Sequence, residues 1–101
     1  MEPIRTELSE GFYSLKKRND QGFTTDITTY DSENYEIGNE HWMIMEKTDG
    51  IIENYVHNSY IRTDLNGNLC NHDDVLKKYK ITNISYNPDG TVLSESIASR
   101  Y

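Results

Sequence analysis

The chain holds a single alanine against 33 isoleucine, valine, threonine, tyrosine, phenylalanine and tryptophan residues, and that imbalance selects strands over helices. β-Branched and aromatic side chains lose rotamer freedom against a helix's preceding turn but pack well on a pleated surface. The punctuation agrees. Asn19-Asp20-Gln21-Gly22, Lys47-Thr48-Asp49-Gly50 and Asn87-Pro88-Asp89-Gly90 each set a glycine after polar turn formers and between apolar runs.

Three hairpins follow from these signals: about 11–18 with 22–30, 41–47 with 51–61, and 80–87 with 91–98. In 22–30, Phe23, Thr25, Ile27 and Thr29 fall on one face, and Thr24, Asp26, Thr28 and Tyr30 on the other, which reads as the wetter. Residues 51–61 also show helical spacing, but Gly50 and the run Asn54, Val56, His57, Asn58 and Ile61 favour a strand. Trp42 and Ile44 alternate with His41, Met43 and Met45, so both faces of that strand are apolar in part, as in a central strand or one with a contact surface on one side. Trp42 reads as core.

Acids open and lysines close the stretch 73–79, which predicts one short helix capped by Asn71 or His72. Residues 31–40 form the longest expected loop, and loops of that length often carry recognition. Asp64-Leu65-Asn66-Gly67-Asn68 has oxygen donors at alternate positions but lacks the later acid of a calcium loop. Asn66-Gly67 reads as a two-residue reversal. No internal repeat or low-complexity tract shows. The expected fold is α+β: one domain over 1–101, an antiparallel sheet of about six strands in three hairpins, with one short helix.

Leu, Ile, Val and Phe number 21 of 101 residues, just above the roughly 20% below which charged chains stay disordered. The lone Cys70 cannot form an internal disulfide, and the first residues (MEPIRTELSEGFYSL) lack the basic and apolar blocks of a secretory leader. With no apolar run near 18 residues, the expectation is a cytoplasmic protein without a membrane partner. Asn83-Ile84-Ser85 matches a glycosylation sequon that matters only outside the cell. Asn, Ile, Lys and Tyr supply 34 residues, a bias typical of AT-rich coding sequences such as those of bacteria and phages.

Charge is the strongest functional signal. The net value is −7, which argues against direct nucleic-acid binding. Residues 19–46 carry seven acids (Asp20, Asp26, Asp31, Glu33, Glu36, Glu40, Glu46) and no Lys or Arg. This pattern points to a patch for a basic protein surface, such as that of a nucleic-acid-binding protein, with exposed Tyr35 as an aromatic anchor. An acidic solvated surface that keeps a small β-protein soluble accounts for the same residues. Mimicry of DNA needs closer charges: extended over 28 residues, seven acids stand roughly 13 Å apart, against about 1.7 Å in a duplex. Lys16-Lys17-Arg18 and Lys77-Lys78-Lys80 read as solvated turn and helix ends.

Catalytic signals are weaker. Cys70-Asn71-His72-Asp73-Asp74, with His41 and His57 elsewhere, offers metal ligands without the paired spacing of a zinc site, so no metal and no cofactor is expected. No motif selects a nucleophile, base and acid from the Ser, Cys, His and carboxylate inventory. The sequence therefore favours a small acidic binding protein that inhibits or regulates a macromolecular partner, with a homodimer compatible. The alternative is a small-molecule or nucleotide module with a pocket at Trp42, Tyr55 and His57, and an enzyme comes third.

Overall fold

In the computed structural model, which describes residues 3–72 and 79–100, the chain runs back and forth through one seven-stranded antiparallel sheet whose spatial order is its sequence order. The strands are β1 (Ile4–Glu7), β2 (Tyr13–Arg18), β3 (Thr24–Tyr30), β4 (Glu36–Glu46), β5 (Ile52–Asp64), β6 (Tyr79–Tyr86) and β7 (Val92–Arg100). A single 3₁₀ turn, Ser9–Gly11, links β1 to β2. The three expected hairpins are present, residues 52–64 are strand throughout, and β4 is the central strand. The short β1 brings the count to seven, one more than expected. The helix expected over 73–79 lies outside the described residues except for Tyr79, which opens β6.

Five connections share one backbone solution. Turns starting at Asn19, Asp31, Lys47, Asp64 and Asn87 each close with the fourth amide donating to the first carbonyl at 2.9–3.1 Å. The first amide donates to the fifth carbonyl at 2.8–2.9 Å. This is a type I turn followed by a left-handed residue, and the fourth residue has φ between 70° and 90° in all five. Four use glycine there. The fifth uses Asn34, which tolerates that conformation and hides the turn from a search for glycine. The expected loop 31–40 is therefore a tight turn followed by the first half of β4. Asn66-Gly67 sits inside a five-residue turn rather than forming a two-residue one. The repetition is one of geometry, with no fixed sequence period.

The sheet is a single layer. Six gaps at about 4.8 Å give a width near 29 Å, and the principal extents are 52 × 31 × 15 Å. The radius of gyration is 15.3 Å, against about 12.7 Å for a compact chain of this length. Among the described residues few side chains are buried: Phe12, Tyr13, Ile37 and Cys70, with Thr28, Asp31 and Thr63, of which Ile37 and Asp31 are fully enclosed. They gather at the end of the sheet that holds the β3–β4 turn. Thr63 already faces Lys80 on β6, so Leu69 bridges it on the opposite side, beyond the start of β4. That path brings residues 70–72 against the Asp31 turn.

Alternation and register give the sheet two unlike faces. Ile27, Trp42, Ile44, Val56, Ile61, Ile84 and Ile97 share the apolar one. Thr28, Asn39, Tyr60, Asn83 and Ser96 form a row across the polar one. Thr28 and Tyr30 belong to the side read as wetter, yet Thr28 is buried and Tyr30 stacks on Tyr13 with centroids 5.1 Å apart. Trp42 is half-buried rather than core, because no second layer covers its face. Gly38 lets Ile61 cross the apolar face: a Cβ there would stand 2.4 Å from Ile61 Cδ1 and 3.0 Å from the Tyr60 carbonyl oxygen. Gly38→Val should cost about 1–3 kcal/mol in chemical denaturation by overpacking. An unchanged midpoint would mean that the sheet has slack at this point.

Candidate functional site

Consecutive residues of a strand point to opposite faces, and consecutive turns of a meander sit at opposite ends. The eight residues expected to bind a partner are dispersed by both rules. Asp20 lies in the β2–β3 turn at one end, with Glu46 leading into the β4–β5 turn beside it. Asp31, Glu33, Tyr35 and Glu36 lie at the other end, about 33 Å away along β4. Asp26 and Glu36 belong to the polar face, where Asp26 sits 3.3 Å from His41 Nδ1 and Glu36 accepts the Tyr60 hydroxyl. Glu40 and Glu46 belong to the apolar face. The structure does not bring the eight together.

Asp31 is fully buried, and its carboxylate organises the end of the sheet. Oδ1 accepts the Glu33 and Tyr35 amides at 2.8 and 2.9 Å, and Oδ2 accepts the His72 amide at 2.9 Å. Oδ2 also meets His72 Nδ1 at 2.6 Å. Burial alone would raise its pKa, but the amides of His72, Tyr35 and Glu33 and the His72 ring outweigh that and hold it at about 2. Tyr35 is 55% exposed, and its ring stacks on His72 at 3.6 Å, capping the pair from the solvent side. Asn71 accepts the Ser32 amide and hydroxyl at 3.3 and 3.0 Å. Nothing in the sequence signals this clasp, since its halves stand 41 residues apart. On the polar face, burial and the Glu36 carboxylate push the Tyr60 hydroxyl well above its ordinary pKa, so it stays a donor.

A concavity lies on the apolar face beside the β6–β7 turn. It is a groove of about 630 Å³ with Ile27, Val56, Ile61, Ile84 and Tyr86 among its lining, within the roughly 300–1,000 Å³ of ligand sites. Two carboxylates border it, Glu40 from β4 and Asp89 from the turn. Glu40 is exposed and makes no ion pair among the described residues. Asp89 is held below its usual pKa by the Thr91 hydroxyl and amide, so it is ionised at neutral pH. Tyr55 borders this groove, whereas Trp42 and His57 do not. His57 is the extra residue of the bulge opposite His41 and Trp42. Around the groove Ile44, Ile52, Val92 and Ile97 remain exposed. The signal missed in the sequence was the period-two isoleucine and valine pattern carried on from strand to strand.

Such an arrangement can desolvate an apolar ligand while offering anionic acceptors at its border. Among the described residues no group of three or more His, Cys, Asp and Glu side chains could hold a metal, and no helix is long and apolar enough to cross a membrane. Comparison of the chain with protein-family models, with curated proteins and with solved structures finds no match.

Proposed function

We propose that the chain is a non-catalytic binding protein that seats a basic, partly apolar surface of another macromolecule on the apolar face of its sheet, and so inhibits or regulates that partner. The observation that carries this reading is the groove itself: an apolar floor, left open by a single-layer fold, with unpaired Glu40 and ionised Asp89 beside it. Apolar burial supplies affinity, and the carboxylates select positive charge and orient the approach. The net charge of −7 acts in the same direction at longer range.

Trp42 is the only tryptophan and shares that face, so its fluorescence reports occupancy. A peptide of alternating leucine and lysine should bind, and one of alternating leucine and glutamate should not. Glu40→Gln should weaken the lysine peptide about tenfold, as loss of one charge-assisted contact does. Glu33→Gln with Glu36→Gln should change little. Equal losses from both variants would return the site to the dispersed acids, and an unchanged affinity in Glu40→Gln would sink the groove reading. The groove's volume also favours a second reading, a small apolar ligand. Its binding would be nearly insensitive to salt, whereas the basic partner should weaken steeply as salt rises.

A further inference from the structure

The two outer strands of the sheet are built differently. β1 is four residues long, follows Pro3 and carries Arg5 and Glu7. Shortness, proline and charge are the devices that keep an edge from pairing. β7 has neither the shortness nor the proline, and Glu95 is its one charge between Val92 and Ser99. The strand is nine residues long without proline or lysine, and it is exposed from Val92 to Ser99, with Leu93 at 66% and Ile97 at 55%. Among the described residues it pairs with β6 alone.

We infer that β7 is a docking edge for the β7 of a second copy, running antiparallel across a two-fold axis normal to the sheet, so that two chains form one continuous sheet. Length decides the occupant: β1 of another copy offers four residues, β7 offers nine. Charge excludes one register. Glu95 is the only charged residue between Val92 and Ser99, and a two-fold centred on it would oppose like charges. Paired residues must share a face, so the axis passes through a residue. Centred on Ile97, it sets Ile97 against its mate on the apolar face, Glu95 against Ser99 and Ser96 against Ala98. This axis also leaves both apolar faces on the same side, continuous with each other. An edge contact is smaller than the roughly 1,200 Å² of a standard interface, so the dimer is weak, with a dissociation constant on the order of 10–100 μM.

The test uses the full chain without any partner, so its outcome is independent of the groove. Sedimentation equilibrium from about 10 μM to 1 mM should show the mass rising from 11.8 kDa towards twice that value. Amide resonances of β7 should move with concentration while those of β1 stay fixed. Ile97→Lys should remain monomeric over the same range with its strand circular dichroism intact, and Thr6→Lys on β1 should associate like the parent. A mass that never rises overturns the inference. So do concentration-dependent shifts centred on Ile44 and Ile84, which would mean stacking of faces, or on β1, which would mean head-to-tail growth. The parent's resonances decide the matter even if Ile97→Lys does not fold.

Discussion

Asp31→Ala should destabilise the protein by about 3–5 kcal/mol, enough to unfold most of a marginal domain, as read from the urea midpoint. The substitution orphans three backbone amides and the His72 ring at a site closed to water. Asp31→Asn separates the two jobs of the side chain. Asn19 occupies the equivalent turn position, and its Oδ1 accepts the Gln21 and Phe23 amides at 3.0 Å, so an asparagine keeps the turn. What it loses is the second anionic oxygen that holds His72, at a cost of about 1–3 kcal/mol. The carboxylate also sets an acid limit. Its pKa is lower folded, at about 2, than unfolded, so its stabilisation is complete above about pH 4–5 and lost as pH falls through 2. The amount is roughly 2–3 kcal/mol. In Asp31→Asn, stability should fall less between pH 5 and 2. An identical pH profile in the variant would remove Asp31 from this role.

Ile37→Ala should cost about 2–5 kcal/mol, and Ile37→Val about 0.5–1.5 kcal/mol. Ile37 is 2% exposed in the bulge that opens β4, where the neighbouring turn and the 69–72 crossing limit collapse around a cavity. Trp42→Ala should cost less than Ile37→Ala although it deletes a larger side chain. Trp42 is half-buried, and its Nε1 is buried without a partner among the described residues, so removal also relieves an unsatisfied donor. Denaturant midpoints for the two variants check the order. The reverse ranking would mean that the sheet's apolar face is covered and Trp42 is core.

The hairpins at Asn19–Gly22, Lys47–Gly50 and Asn87–Gly90 were legible because each turn states its own geometry within four residues. The turn at Asp31 was not, because Asn34 takes the left-handed place. Position 51–61 was settled by propensity, and the centrality of β4 by its two-sided apolar character. The dispersal of the acids was illegible for a different reason. A run of carboxylates in sequence says nothing about face or end until register and bulges are known, and four inter-strand pairings here slip by one residue. The clasp between Asp31 and His72 depends on a crossing of the chain that no local pattern encodes. The groove was half-visible: Ile27 and Thr29 were placed on one face, but what lies opposite them comes from β5 and β6.

A sheet whose strands lie in the order they are written needs no crossover between distant strands. Apart from β6, which follows the longer 65–78 connection, each new strand closes only a short loop onto the one before it, so ordering costs little entropy at most steps and the molecule should zip rather than search. The same logic makes its size adjustable. A further β-arm could be added or trimmed at the β7 side without rethreading the rest, much as a repeat array grows by terminal units, whereas the end clasped by Asp31 and His72 is the one that must stay.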